Sequence, residues 1–188
     1  ESKKRNAISI RGILREDDNP LSKAEKLAEL FINDRKKHVE EVIMPNLKEN
    51  LFVISDRYKL STITYQSAQG ISMQSLIERH NGLPIPDITF VIDVPSKIAS
   101  ERMKKDSPEI RGKEHKFEAS LVFQENVRNN YKKAKELLKN ENIFIINGER
   151  TPDEIFSDIK NIFDNEIEKI NNIKTHIVLV IKKEDKIL

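Results

Sequence analysis

The chain has 188 residues, 34% of them charged, with a formal net charge of +2, no cysteine and no tryptophan. That length suits one domain burying about 70% of its unfolded surface. The missing cysteines exclude disulfides, thiolate metal sites and a cysteine nucleophile. The interspersed charge lacks the clustered basic excess of a nucleic-acid binder, and Ile177–Ile181, the longest apolar run, is too short to span a membrane. The expected setting is the reducing cytoplasm, with no nucleic-acid or membrane partner. The five glycines, Gly12, Gly70, Gly82, Gly112 and Gly148, lie at least twelve residues apart. Neither G-x-G-x-x-G nor G-x-x-x-x-G-K-[ST] therefore occurs in these 188 residues. Translation begins at Met, which is normally removed only before a small residue, so a chain opening on Glu1 is expected to have lost its beginning.

Ala7, Ile8, Ile10, Ile13 and Leu14 lie on roughly one helical face. Asn19-Pro20 reads as an N-cap with proline at the first helical position. Helical spacing continues through Leu21, Ala24, Leu27, Ala28, Leu30 and Phe31, then Val39, Val42, Ile43 and Leu47, with Pro45 as a kink or stop. Leu51-Phe52-Val53-Ile54 is apolar throughout, as in a strand covered on both faces. A hydroxyl-rich segment, 55–70, and a helix over 72–80 follow.

A second buried strand is predicted at 88–94, a helix at 95–105, a charged loop at 106–113 and a long helix at about 114–140. A third strand spans 143–146, and Thr151-Pro152-Asp153-Glu154 opens the next helix with a cap, a proline and two acids. The run 177–181 is a fourth strand. Apolar strands alternating with helices predict an α/β fold, a three-layer, mostly parallel sheet flanked by helices. Its ligands belong at the carboxyl ends of the strands. Those ends carry Ser55-Asp56-Arg57, Asp93 and Asn147-Gly148-Glu149-Arg150.

Asp56-Arg57-Tyr58 is the best constellation. An Asp at a strand end can hold Mg²⁺ through water, and the neighbouring Arg offers a permanently charged fork to phosphate oxygens. Alone, the tripeptide also fits a surface ion pair. The string Asp56-Arg57-Tyr58-Lys59-Leu60-Ser61-Thr62-Ile63-Thr64-Tyr65-Gln66 supplies context, preceded by Phe31-Ile32-Asn33-Asp34-Arg35. Pro86–Val94 and Phe123–Tyr131 follow in the right order. On these residues the chain resembles the thymidylate kinase family over most of 8–165.

The resemblance implies a P-loop NTPase-like fold, ATP and Mg²⁺, dTMP as acceptor, and a homodimer. It implies that Phe31 stacks on thymine and that Arg35, one helical turn later, hydrogen-bonds the base. Arg57 would grip the acceptor phosphate, with Asp56 on the metal side. Tyr65 would pack beside the sugar, among Ser61, Thr62 and Gln66. The loop 106–113 looks like the family's lid, with Arg111 and Lys113 closing over the transferring phosphate. Phe117 matches an aromatic near the nucleotide, although His115 and Lys116 depart from the common D-R-[FY]-E pattern. Asn147, Gly148 and Arg150 lie where the family packs adenine. The four histidines show no metal-ligand spacing and read as surface or capping residues.

The family's opening strand, its P-loop and its Arg-Glu-Pro motif have no counterpart in these residues. The expectation is a kinase domain over 1–175, with the P-loop preceding Glu1, and a C-terminal extension over 176–188. The alternative is a non-catalytic, P-loop-less relative that binds nucleotide or dimerises. The run 177–181 is apolar on both faces and calls for a covered position. If the N-terminal strand is truly absent, this run would fill the slot between the strands at 51–55 and 88–94, which the family gives to its P-loop strand.

Overall fold

A computed structural model describes residues 23–106, 121–170 and 177–181. The helical face at 7–14, the cap at Asn19-Pro20, residues 114–120 of the long helix, and Arg111, Lys113 and Phe117 lie outside the described residues.

Helix α1 spans Ala24–His38 and continues through a π-helical segment, Val39–Ile43, into the short α2, Met44–Lys48. Pro45 sits in the first turn of α2. It has no N–H and its ring crowds the carbonyl four residues back, and the wider π turn directly before it accommodates both defects. The helix then stops at Asn50, whose positive φ of 57° starts a left-handed turn. The Asn50 and Leu51 amides donate to the Leu47 and Asn46 carbonyls, both at 3.0 Å. This is the double bond of a Schellman ending.

The turn uses up Leu51, so β1 is Val53–Asp56 rather than 51–54. Nor is it covered on both faces: Ile54 is 71% exposed and Phe52 56%. It pairs with a single neighbour in the four-stranded sheet. After β1 come α3 (Lys59–Ala68), α4 (Met73–Arg79), β2 (Ile88–Asp93) and α5 (Ser96–Asp106). The remaining elements are α6 (Leu121–Leu137), β3 (Ile143–Asn147), α7 (Pro152–Ile170) and β4 (Ile177–Ile181).

The strand order is β1-β4-β2-β3, and all pairs are parallel. The C-terminal strand thus fills the slot between β1 and β2, with Leu179 level with Ser55 on one side and Thr89 on the other. Its all-apolar sequence suits that interior position. On one face of the sheet, Val53, Val91, Ile143 and Ile145 pack with residues of α1, α3, α4 and α6. On the other, Ile88, Phe90, Phe144 and Ile146 meet Ile155, Ile159, Ile162 and Phe163 of α7. Three layers result, a parallel sheet between helices, as expected for the P-loop NTPase-like class. Thr151 and Glu154 close α7 with a reciprocal capping box: the Thr151 amide reaches the Glu154 carboxylate at 2.9 Å, and the Glu154 amide reaches Thr151 Oγ1 at 3.4 Å.

Because, among the described residues, β1 and β2 meet only through β4, a proline within β4 should weaken the whole sheet. Leu179→Pro is expected to cost about 3 kcal/mol or more, read as a lower urea midpoint. An unchanged midpoint would contradict the central placement of β4.

Candidate active site

The parallel registers bring Asp56, Asp93 and Asn147 to the same edge of the sheet, at the ends of β1, β2 and β3. The turn after β1 dominates this edge. Arg57 has a φ of +65°, a conformation that costs a non-glycine residue roughly 1–2 kcal/mol. Its carbonyl accepts a 2.9 Å bond from Ser55 Oγ. Tyr58 is then extended, with φ −147° and ψ −151°, before α3 begins. One left-handed residue thus sends consecutive side chains to different places. Asp56 is exposed, Arg57 is half-buried with its guanidinium carbon 5.4 Å from the centre of the Tyr65 ring, and Tyr58 is only 2% exposed.

Helix α3 is polar in sequence and buried in space: Lys59, Ser61, Thr62, Thr64 and Gln66 are all covered. Each finds partners, as buried polar groups must. Thr62 Oγ1 accepts from Arg35 Nη2 at 3.2 Å. Ser61 Oγ lies 3.3 Å from the Tyr131 hydroxyl. Thr64 Oγ1 donates to the Leu60 carbonyl, and its own carbonyl accepts from Asn130 at 3.0 Å. Gln66 donates to Gln69 at 3.0 Å. Lys59 forms a buried ion pair with Glu141 at 2.6 Å. Tyr65 meets Phe123 edge-on, centroids 6.3 Å apart.

Arg35 comes from α1, one turn after the half-buried Phe31. Its guanidinium carbon lies 5.1 Å from the centre of the Tyr58 ring, and its Nε is buried with no hydrogen-bond partner among the described residues. Burial pushes the Arg35 pKa down to about 10, against opposing effects of Tyr58, Asp34 and Tyr131, and the group stays charged at neutral pH. Burial pushes Tyr58 up to about 12, with Arg35 pulling the other way. Two cationic forks therefore stand over one helix. Arg35 rests on Thr62 and Arg57 on Tyr65, three residues apart on α3 and so on neighbouring turns of one face.

At the far side of the edge, Gly148 packs against the end of β2. A Cβ there would lie 2.4 Å from Val94 Cγ2 and 2.6 Å from Ile92 Cγ2. Only glycine allows that approach, and the Gly148 amide reaches the Asp93 carbonyl at 2.9 Å. Asn147 Oδ1 accepts from the Glu149 amide at 2.9 Å, and Arg150 pairs with Asp158. Arg102 donates to the Gly148 and Glu149 carbonyls at 2.7 and 2.9 Å. The structure thus gathers Arg35, Asp56, Arg57, Ser61, Thr62, Tyr65 and Gln66 around α3 and its leading turn. Asn147, Gly148 and Arg150 sit at the end of β3.

Sequence reasoning passed over Arg128 and Lys132. Arg128 grips Asp93 through two hydrogen bonds, at 2.5 and 3.0 Å, and Lys132 stands 3.4 Å away. Burial alone would raise the Asp93 pKa, but these cations hold it below the usual carboxylate range. Arg128 lies inside the Phe123–Tyr131 segment of the resemblance, but nothing in the sequence pairs it with Asp93, 35 residues away. Among the described residues no group of three His, Asp or Glu side chains could hold a metal ion. The exposed Asp56 carboxylate instead fits a hydrated Mg²⁺ held through water. No helix among the described residues is long and apolar enough to cross a membrane.

The family profile described as "Thymidylate kinase" matches residues 2–159. The chain belongs to the thymidylate kinase family. A thymidylate kinase of Thermosipho africanus is 37% identical over 163 residues, covering 85% of this chain and 77% of that protein. A probable thymidylate kinase of Pyrococcus abyssi is 35% identical over 138 residues, covering 73% of this chain and 64% of the relative. The thymidylate kinase of Fervidobacterium nodosum is 41% identical over 143 residues. The chain thus spans about two thirds to three quarters of the length of these members of the thymidylate kinase family.

His80, read from sequence as surface or capping, ends α4 but is only 3% exposed. Its Nδ1 donates to the Leu76 carbonyl at 2.7 Å, and its Nε2 is buried without a partner. Burial, aided by Arg35, Lys59 and Arg79, lowers its pKa to about 4. The unfolded chain therefore binds the proton first. Stability should be full above about pH 6.5 and fall as the pH drops toward 4, by on the order of 2–3 kcal/mol. Urea denaturation of wild type and His80→Gln across that range checks this: the substitution should flatten the slope, and an unchanged slope would rule His80 out.

Proposed function

We propose that this protein transfers the γ-phosphoryl group of ATP to dTMP, yielding dTDP and ADP, and that the residues around α3 form its acceptor side. The observation that carries this reading is the pair of arginines over α3. One is Arg35 with an unspent buried N–H, one turn from Phe31. The other is Arg57, set by a left-handed turn at the end of a parallel strand. A nucleoside monophosphate has a planar base at one end and a dianionic phosphate at the other, so it calls for two such forks. The relatives' names supply the acceptor's identity and favour an enzyme over a non-catalytic relative.

In this reading Phe31 stacks on thymine and Arg35 donates to the base. Thr62 fixes Arg35 through its hydroxyl, while Ser61 and Gln66 line the helix behind it. Tyr65 packs beside the sugar where a 2′-hydroxyl would sit. Arg57 binds the acceptor phosphate through its planar fork. Asp56 would hold a hydrated Mg²⁺ through water, and the ion would supply charge neutralisation. Arg111 and Lys113 neutralise the transferring group and Phe117 borders the nucleotide. Asn147, Gly148 and Arg150 border the donor base. Phosphoryl transfer asks for in-line positioning and charge stabilisation rather than a covalent protein intermediate. The enzyme works as a cytoplasmic homodimer.

Two measurements test the proposal. Titration calorimetry on this chain should show dTMP bound in preference to its 2′-hydroxyl analogue, and equal affinities would remove the role of Tyr65. Phosphotransfer, assayed on the longest reading frame containing these 188 residues, should show dTMP-dependent ADP formation, and its absence would refute the kinase reading. In that assay Arg57→Ala should lower kcat by about 10²-fold or more. Phe31→Ala should mainly weaken dTMP binding, by about 1–3 kcal/mol.

A further inference from the structure

Tyr58 lies inside the motif that carries the family resemblance, yet the reading above gives it no task. Its ring is among the largest fully buried side chains, and among the described residues its hydroxyl has no hydrogen-bond partner. A buried tyrosine with an orphaned hydroxyl gains nothing there over phenylalanine. What the ring does have is a cation: the Arg35 guanidinium carbon lies 5.1 Å from its centroid, within cation–π range.

Arg35 needs such support. Among the described residues it has one side-chain hydrogen bond on this face, to Thr62 at 3.2 Å, and its Nε–H has no partner. A long side chain held at one atom swings about it. The aromatic face fixes the guanidinium plane, and a fork with a fixed plane loses less entropy when a ligand takes its free N–H groups. Tyr58 is itself fixed. It is extended directly after the left-handed Arg57, and the next residue, Lys59, is anchored to Glu141 by the buried ion pair. The turn that presents Arg57 therefore also seats the ring under Arg35, and the two forks share one covalent gauge.

We propose that Tyr58 is a positioning residue for acceptor-base recognition: its ring orients Arg35, and its hydroxyl is dispensable. The proposal rests on the acceptor-site reading given above and adds to it a residue that touches no substrate.

The test compares Tyr58→Phe and Tyr58→Leu on the full chain. The readouts are calorimetric affinities for dTMP and for 2-deoxyribose 5-phosphate, which has the sugar and phosphate but no base. Tyr58→Phe should keep the wild-type ratio of the two affinities. Tyr58→Leu should lower that ratio by about five- to thirtyfold, the range from an exposed to a desolvated cation–π contact. A purely structural role would weaken both ligands together, and that result, or an unchanged ratio in Tyr58→Leu, would overturn the proposal. A second readout is independent of ligand. The Arg35 Nε–Hε resonance should carry a ring-current shift in wild type and Tyr58→Phe that disappears in Tyr58→Leu. If wild type binds no dTMP, the acceptor-site reading fails, and this resonance still decides whether the ring holds Arg35. Its absence in wild type would overturn the positioning claim.

Discussion

Everything at the candidate site depends on the turn at Arg57. A strand that ran straight on would alternate its side chains between the two faces of the sheet. The left-handed residue breaks that alternation, and only one residue pays the steric cost, with φ at +65°. Local and buried surroundings help to hold it there: the Ser55 hydroxyl on the Arg57 carbonyl, the sequestered Tyr58 ring and the Lys59–Glu141 pair. Strain kept in place at the carboxyl end of a parallel strand, where such sheets bind ligands, is the pattern of a functional turn.

The turn matters because of the helix that follows. Helix α3 packs against α1 and α6 with hydroxyls and amides where a structural helix would carry leucines. Burying so many polar groups stabilises little. A buried ion pair such as Lys59–Glu141 is weak support for stability, because desolvation consumes most of its Coulombic gain. What the arrangement provides is definition. Thr62, Ser61, Thr64 and Lys59 each have a partner outside α3, namely Arg35 of α1, Tyr131 and Asn130 of α6, and Glu141, so α3 has one rotation and one depth that satisfy them all. That fixes where Arg35 and Arg57 stand relative to each other, which a fluid apolar interface would leave free.

Most of the architecture was legible because it rests on local signals. Buried parallel strands read as apolar runs, and Thr151-Pro152-Asp153-Glu154 announced its helix through a capping pattern that needs no tertiary partner. The first strand was misplaced by two residues because the left-handed ending at Asn50 consumes Leu51. The character of α3 was hidden for a different reason. Its residues look like a polar segment until their partners are known, and Arg35, Asn130, Tyr131 and Glu141 lie 27 to 82 residues away in sequence. Gly148 shows the same limit. The resemblance places Gly148 near the nucleotide, and its close contact with Val94 and Ile92 adds a packing reason for glycine that no local pattern reveals.

The central claim is that the forks at Arg35 and Arg57 take the two ends of one nucleoside monophosphate across α3. A crystal structure of this chain with dTMP tests it most directly. The account predicts the base against Phe31 with Arg35 donating to its edge, the sugar beside Tyr65, and the phosphate on Arg57. A phosphate bound elsewhere, or a base that leaves Arg35 without a contact, would contradict it.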